Sequence, residues 1–348
     1  MNKFSLFCLA GDRYGSLEVL LPILNELKNS DTTFNITVFF YKKSASHKTL
    51  FNDSILKKIF VNIIDNFYIK PRIYLPLILF FFYLKNILNL KKTILVAPFK
   101  TSNFEIKIIK IIPFLKFIGY PQTSTINVKL QKQFPIKQNF NFNFNGENGI
   151  GFPKFYKSWI DKFSKRKSNN DSNDTIVVFL PSIVNPEFTS LDFDEWINNI
   201  HQTIIKLKIS FKCIMIKPHP MLSPEKISYV LDMFQQLNAI KTEDNSMCIL
   251  KSANLVFTAH SSVILDCLYF EIPTIFYQKF SNHWLKRHND GSKFLNLGAK
   301  YFDNKNDMIE YLLKDELENK SINERNIFLD KINHKNNLIG FLSKNNII

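Results

Sequence analysis

The sequence predicts an α/β protein with two domains, each built on a parallel sheet covered by helices on both faces. Short apolar runs of strand length alternate with longer segments of helical period, which is typical of doubly wound parallel sheets. The 348 residues exceed the size at which one core usually keeps growing. The alternation stops after residue 130 and resumes at 175. We therefore expect domains at 1–150 and 151–348, facing a central cleft.

The first half alternates strand and helix throughout. Its apolar runs begin after polar or glycine-containing turns, and each is followed by a segment of helical period. Strands are expected at 4–9, 34–41, 66–69 and 93–97, and helices at 17–27, 48–60, 73–84 and 104–115.

Two stretches without apolar periodicity separate the halves, the first with Asn-Phe repeats at 139–145 and the second polar throughout at 165–174. Between them, 152–163 is expected to form one helix bridging the halves. Ser223 is the expected N-cap of a later helix. In the second half, strands are expected at 176–180, 213–216, 255–257 and 274–277, and helices at 193–207, 224–237, 247–253, 262–270, 308–313 and 325–332.

The net charge of +15 comes almost entirely from lysine. Arginine is the preferred residue for bidentate recognition of phosphates and base edges, and few are present. This composition argues against nucleic-acid binding and favours attraction to an anionic membrane surface. The four cysteines are scattered without metal or disulfide spacing, which suits a reducing cytoplasm.

The most hydrophobic run, 73–84, is shorter than the roughly 20 residues of a transmembrane helix. It is interpreted either as a core helix or as an interfacial helix that dips into lipid. The run 107–116 mixes lysines with bulky apolar residues and favours the second interpretation. Since the amino terminus lacks the apolar region of a signal peptide, we expect a cytoplasmic protein, attached peripherally to the inner face of the membrane.

Two polar turns follow predicted strands in the second half. Lys217-Pro218-His219-Pro220 comes after the strand at 213–216, and Thr258-Ala259-His260-Ser261-Ser262 comes after the strand at 255–257. Ligands of open α/β sheets bind at the carboxyl ends of strands. Hydroxyl groups and backbone amides at the start of a helix suit a phosphate. These turns therefore predict a nucleotide-type ligand.

The order of motifs resembles the GT-B transferases of bacterial surface polymers. The resemblance covers roughly residues 150 to 300 and is carried by Gly151-Phe152-Pro153-Lys154, by the run 175–182, by the two turns above and by Asp266 and Pro273. Two branches are similar: the sialyl- and Kdo-transferases with a His-Pro motif, and the capsule and CDP-glycerol glycerophosphotransferase group. The resemblance implies Rossmann-like domains, with the acceptor bound by 1–150 and the nucleotide donor by 151–348.

The resemblance also implies roles for residues of the two turns. His219 and Pro220 would lie against a cytidine nucleotide, with His219 touching the phosphate. Ser261 and Ser262 would hold the phosphate through hydroxyl and backbone donors, with Lys217 and His260 as further nucleotide-binding candidates. A departing nucleoside phosphate develops negative charge, so preorganised donors or a protonated histidine lower the barrier.

The first half offers Gly11-Asp12-Arg13-Tyr14-Gly15-Ser16 after its first strand. The resemblance implies that this turn faces the acceptor, and Asp12 is then the best-placed general base for an acceptor hydroxyl, although a helix-capping role is an open alternative. Glu18 is the reserve candidate. The sequence lacks the acidic pair of the sialyltransferase branch, and the segment 120–124 lacks the histidine of the other branch, so the identity of the base stays open.

The function expected from these observations is sugar transfer from a nucleotide-activated donor, CMP-linked sialic or Kdo-like acid, to an oligosaccharide or lipid-linked glycan of capsule or lipopolysaccharide. The alternatives are CDP-polyol phosphate transfer, a nucleotide-sugar epimerase of the same fold and a non-catalytic scaffold protein. The one Asp-x-Asp motif, Asp192-Phe193-Asp194, opens a predicted helix, where acidic residues complement the dipole. Transfer without a metal or a cofactor is therefore expected.

Overall fold

The chain divides into two compact units: Met1–Phe163 together with Ile332–Ile348, and Ser164–Lys331. Each unit contains, among its described residues, one six-stranded sheet in which every neighbouring pair is parallel. The computed structural model describes residues 4–12, 15–30, 32–98, 116–120, 139–141, 150, 152–163, 175–181, 189, 191–207, 213–220, 222–287, 294, 299–313, 323–326, 328 and 338–344.

The first sheet has the strand order β3-β2-β1-β4-β5-β6. This is the order of the doubly wound dinucleotide-binding folds, in which strands are added outward on one side of β1 and then, from β4, on the other side. The strands are β1 (Phe4–Leu9), β2 (Phe34–Tyr41), β3 (Asn66–Lys70), β4 (Lys92–Pro98), β5 (Lys116–Tyr120) and β6 (Asn139–Asn141). The helices are α1 (Ser16–Lys28), α2 (Ala45–Asn52), α3 (Ser54–Ile63), α4 (Leu75–Leu88), α5 (Lys157–Ile160) and, near the carboxyl end of the chain, α12 (Leu338–Lys344).

Every residue of β1 is buried, as expected for a central strand covered on both faces. Phe7 and Leu9 pack with Leu75 and Leu79 of α4. Because side chains alternate along a strand, the buried Leu6 and Cys8 point to the opposite face of the sheet. The doubly wound interpretation of the first half is confirmed.

The helix expected at 48–60 is two helices, α2 and α3, which meet at Asp53. The Asp53 carboxylate accepts hydrogen bonds from the backbone N–H groups of Ile55 (3.0 Å) and Leu56 (2.9 Å). An aspartate that caps a new helix in this way ends the preceding one. The helix expected at 104–115 lies outside the described residues.

The segment 152–163 differs from the single bridging helix that the sequence predicted. It forms a 3-10 turn (Pro153–Phe155), the short α5 and a second 3-10 turn (Asp161–Phe163). It belongs to the first unit, because Ser158 accepts a hydrogen bond from Asn25 Nδ2 through its carbonyl (3.1 Å) and donates one to Glu26 Oε2 (2.5 Å). The first unit therefore extends to Phe163, past the boundary expected at 150, and it also includes Ile332–Ile348.

The second sheet has the order β12-β11-β10-β7-β8-β9, which is the same topology as the first sheet. Its central strand β7 separates two cores: Ile176 and Val178 belong to one, and Val177 and Phe179 to the other. The strands are β7 (Thr175–Phe179), β8 (Cys213–Lys217), β9 (Ala239–Lys241), β10 (Leu255–Thr258), β11 (Thr274–Tyr277) and β12 (Tyr301–Phe302). The helices are α6 (Phe193–Lys206), α7 (Pro224–Met233), α8 (Ser246–Leu250), α9 (Val263–Tyr269), α10 (Asn282–Arg287) and α11 (Lys305–Leu312).

The four strands predicted in the second half are all present, and the expected N-cap is observed: Ser223 Oγ accepts a hydrogen bond from Lys226 N (3.4 Å). The predicted elements omit the edge strands β9 and β12, which have three and two residues. Runs this short carry no alternation from which a strand could be recognised.

Candidate functional site

The two polar turns of the second half lie at the carboxyl edge of the second sheet, on either side of β7. In the register of the sheet, Phe179 at the end of β7 pairs with Lys217 of β8 and with Thr258 of β10. Neighbouring strands are about 4.8 Å apart, so the backbones of Lys217 and Thr258 are separated by about 10 Å. The chain runs outward from β7 to β9 and then returns to β10, which makes β7 and β10 the topological switch point where such sheets bind ligands.

His219 lies two residues beyond the end of β8 in a rigid turn. Pro218 is buried and Pro220 is exposed, and the carbonyl oxygen of His219 accepts a hydrogen bond from Leu222 N (2.9 Å). Burial lowers the pKa of the His219 imidazole below its ordinary value of 6.5. The imidazole is therefore mostly neutral at pH 7, so it offers a phosphate an N–H donor and not the protonated ring that was the other sequence-based option.

Ser261 and Ser262 follow β10 and precede α9, and both are half-buried. Ser261 Oγ accepts a hydrogen bond from Val263 N (3.4 Å) at the start of α9, whereas the N-cap residue Ser262 makes no side-chain capping bond. The hydroxyl proton remains available to a second group, since a serine oxygen can accept and donate at once. The bond from Val263 N and the binding of a phosphate are thus compatible at this position.

His260 is surrounded by aromatic side chains. Its ring centroid lies 4.8 Å from that of Phe294, 5.7 Å from Trp284 and 5.9 Å from both Phe276 and Phe280. Its backbone N–H donates to Gln278 Oε1 (3.4 Å). These contacts fix the turn after β10 against the end of β11, and they give His260 a structural role whatever else it touches.

The acidic residues of the second unit do not form a metal site within the described ranges. Asp192 Oδ1 caps α6 by accepting a hydrogen bond from Glu195 N (2.7 Å), which is the helix-start position that the sequence predicted. Asp266 is buried within α9, with 1% of its surface exposed. Nowhere in the described part of the chain do three His, Cys, Asp or Glu side chains cluster as metal ligands would.

In the first unit, Asp12 lies in the turn after β1 with its side chain exposed. The turn is held by Tyr120, the last residue of β5, whose side chain is completely buried. Tyr120 Oη accepts a hydrogen bond from Gly11 N (3.1 Å) and donates one to Leu9 O (2.8 Å). Sequence reasoning missed this contact, because it considered Tyr120 only as part of a segment without histidine.

Glu18, the reserve candidate for the base, is ion-paired. Its Oε2 lies 3.1 Å from Nζ of Lys154, and the lysine is buried with 4% of its surface exposed. A buried ammonium group needs a nearby counter-charge, so Glu18 stabilises Lys154 and the segment that carries it. Asp12 is the candidate whose carboxylate faces solvent.

No protein-family model matches the sequence, and the search of curated proteins found no relative. The structure is similar to a glycosyltransferase from Rickettsia africae ESF-5, with a TM-score of 0.56 and 10% identity over 100% of this chain and 99% of that one. It is similar to the UDP-GlcNAc 2-epimerase from Neisseria meningitidis bound to UDP-GlcNAc, with a TM-score of 0.55 and 10% identity over 99% of this chain and 100% of that one.

The wall teichoic acid polymerase TagF is also similar, with a TM-score of 0.53 and 12% identity over 100% of this chain and 88% of that one. At such identities the likeness shows the fold and not the reaction. The expected fold class is confirmed: two Rossmann-like units with the architecture of the GT-B proteins.

Proposed function

We propose that the protein is a glycosyltransferase that binds a nucleotide-activated sugar at the carboxyl edge of its second sheet. The observation that carries the proposal is the sheet register, in which the turns after β8 and β10 flank the end of β7. The turns bring an imidazole and two hydroxyl groups to the switch point of a Rossmann-like sheet, the usual nucleotide position in this topology.

The chemistry requires stabilisation of a departing nucleoside phosphate. His219 donates a hydrogen bond from its ring N–H to the phosphate oxygen that gains negative charge. The hydroxyl groups of Ser261 and Ser262 donate hydrogen bonds to the other phosphate oxygens, and Lys217 adds positive charge. Such donors are effective because they are oriented before the bond breaks. In the first unit, Asp12 removes the proton of the acceptor hydroxyl, in a turn that Tyr120 holds in place.

The donor we propose is a CMP-linked sialic or Kdo-like acid, and the acceptor is a glycan of capsule or lipopolysaccharide assembled at the inner face of the membrane. The support is the resemblance of the 217–220 and 259–262 turns to the His-Pro-motif transferases. Transfer of a polyol phosphate from a CDP-linked donor is the alternative from the second branch, and we propose that neither reaction requires a metal.

Epimerisation of a nucleotide sugar is a second candidate, favoured by the similarity to the Neisseria meningitidis epimerase over 99% of this chain. It needs several carboxylates of the first unit at the sugar. At the β1 turn Asp12 is exposed but Glu18 is paired with Lys154, which supports transfer over epimerisation.

Thermal unfolding with a panel of CMP, CMP-sialic acid, CDP-glycerol, UDP and UDP-GlcNAc tests the proposal. A ligand at about 100 times its Kd adds about 2.7 kcal/mol to the stability of the folded state. For a unit of this size that raises Tm by about 5–10 °C. We expect the CMP compounds to give the largest shift, and the His219→Ala variant to lose it.

The exposed His283 on α10 provides a matched control, since His283→Ala removes an imidazole that belongs to neither turn. Its shift should equal that of the unsubstituted protein. A shift with UDP compounds alone contradicts the cytidine donor, and conversion of UDP-GlcNAc without an acceptor establishes the epimerase instead. Absence of any shift across the panel contradicts nucleotide binding altogether.

A further inference from the structure

The helix α4 buries one side against the first sheet. Leu75, Leu79 and Tyr83 recur at helical spacing and pack with Phe7 and Leu95 in the core. At 14 residues, α4 is about 21 Å long. Across the described residues, no helix is both long and apolar enough to cross a membrane.

The opposite side of α4 is apolar and faces outward. Its side chains are as exposed as polar side chains usually are on surface helices. The exposed fraction is 58% for Phe81 and 76% for Leu88. Contiguous apolar surface of this kind marks an interaction site. We call the following residues the α4 face: Ile73, Tyr74, Leu77, Phe80, Phe81, Leu84, Ile87 and Leu88.

The surroundings of the α4 face are basic. The stretch 66–98 contains no Asp or Glu and five basic residues. Lys85 is exposed on the helix itself, and Lys70 and Arg72 are exposed just before it. After the helix, Lys92 is exposed and Lys91 is half-buried. Each lysine or arginine near an anionic bilayer contributes about 1 kcal/mol of attraction.

We propose that the α4 face is a membrane-binding surface that lies in the plane of an anionic bilayer, with its phenylalanine and leucine side chains among the acyl chains. The charge pattern favours lipid over a second copy of the chain, because an isologous dimer would bring two identical basic surrounds together. Tyr74 and Tyr68, which are 48% and 39% exposed, suit the headgroup level, where tyrosine rings are favoured.

One end of the α4 face lies at the sheet edge that bears Asp12. The start of α4 follows the carboxyl end of β3, and the turn that bears Asp12 follows the carboxyl end of β1 at the same edge. If the protein is a transferase, a lipid-linked acceptor enters where α4 begins, at the sheet edge that it shares with Asp12. That consequence rests on the proposed function, whereas lipid binding itself does not.

Flotation of the full-length protein with vesicles tests the proposal. We expect binding to phosphatidylcholine vesicles that contain about 30% phosphatidylglycerol, and at least about tenfold weaker binding to phosphatidylcholine alone. Phe81→Asp should reduce partitioning about tenfold or more, because it removes a large apolar side chain from the contact and adds a negative charge. Added salt should weaken binding of the unsubstituted protein.

The control is Ile205→Asp, which makes the same kind of change at a residue of α6 that is 50% exposed in the other unit. It should float like the unsubstituted protein, and both variants should retain the nucleotide-induced thermal shift. Absence of flotation, or equal loss in both variants, overturns the proposal. A lipid-free dimer that Phe81→Asp converts to a monomer also overturns it, since the face would then be a self-interface. Flotation without a nucleotide shift would leave lipid binding established and the proposed function refuted.

Discussion

The buried Tyr120 hydroxyl gives the most direct test of how the first unit positions Asp12. Tyr120→Phe keeps the ring and removes two hydrogen bonds, one from Gly11 N (3.1 Å) and one to Leu9 O (2.8 Å). Each bond contributes about 0.5–1.5 kcal/mol, and a buried N–H left without an acceptor costs about 1–3 kcal/mol. We therefore expect the substitution to lower the free energy of unfolding of the first unit by about 2 kcal/mol.

Hydrogen exchange at Gly11 measures this effect locally. A loss of about 2 kcal/mol corresponds to about thirtyfold faster exchange of an amide that opens with the turn. Tyr229→Phe, at an exposed tyrosine of α7, is the matched control and should leave unfolding within about 0.5 kcal/mol of the original protein. Unchanged protection of Gly11 in Tyr120→Phe would refute the view that this hydroxyl holds the β1 turn.

Three further predictions concern ionisable groups. Glu18→Gln should destabilise the first unit by about 2 kcal/mol in urea unfolding, because it removes a counter-charge of buried Lys154. Adding Lys154→Met should recover most of the loss. Normal stability of Glu18→Gln would contradict a structural role for Glu18. Burial raises the pKa of Glu324 to about 7 from 4.5, so the folded state holds that proton more tightly and stability falls as pH rises between these values. Glu324→Gln should flatten this dependence in unfolding measured at several pH values, and an unchanged slope would contradict it. Burial holds the pKa of the free His219 below 6.5, and a bound phosphate would raise it. Nucleotide binding should therefore take up protons as the pH falls toward that pKa, and it should weaken as pH rises, which calorimetry in buffers of different ionisation heat detects. Binding that strengthens as pH rises would contradict the contact.

Local sequence signals were sufficient to predict β1 to β4, the four inner strands of the second sheet and the position of the second-unit turns, but not β5, β6, β9 or β12. A strand such as β10 is a short apolar run that ends in polar residues, and both features can be recognised without knowledge of the rest of the fold. Because parallel strands end at one edge, the turns at 217–220 and 259–262 were expected together before the register was known.

Features that depend on tertiary contacts could not be predicted in the same way. Tyr120 reaches the β1 turn from β5, with β4 between the two strands, and no sequence pattern links residues so far apart. The aromatic surroundings of His260 and the ion pair between Glu18 and Lys154 likewise form only when separate segments pack. The sequence predicts that the second domain begins at 151, whereas the structure puts the 152–163 segment in the first unit. The sequence could not reveal this, because the docking of the segment onto α1 also depends on tertiary contacts.

A crystal soaked with the nucleotide that raises Tm most tests the central claim directly. We predict density for the base and phosphate beside the ends of β8 and β10, with phosphate oxygens within hydrogen-bond distance of His219 and of the Ser261 or Ser262 hydroxyl. Nucleotide density at any other edge of either sheet, with those three side chains left in solvent, would contradict the account.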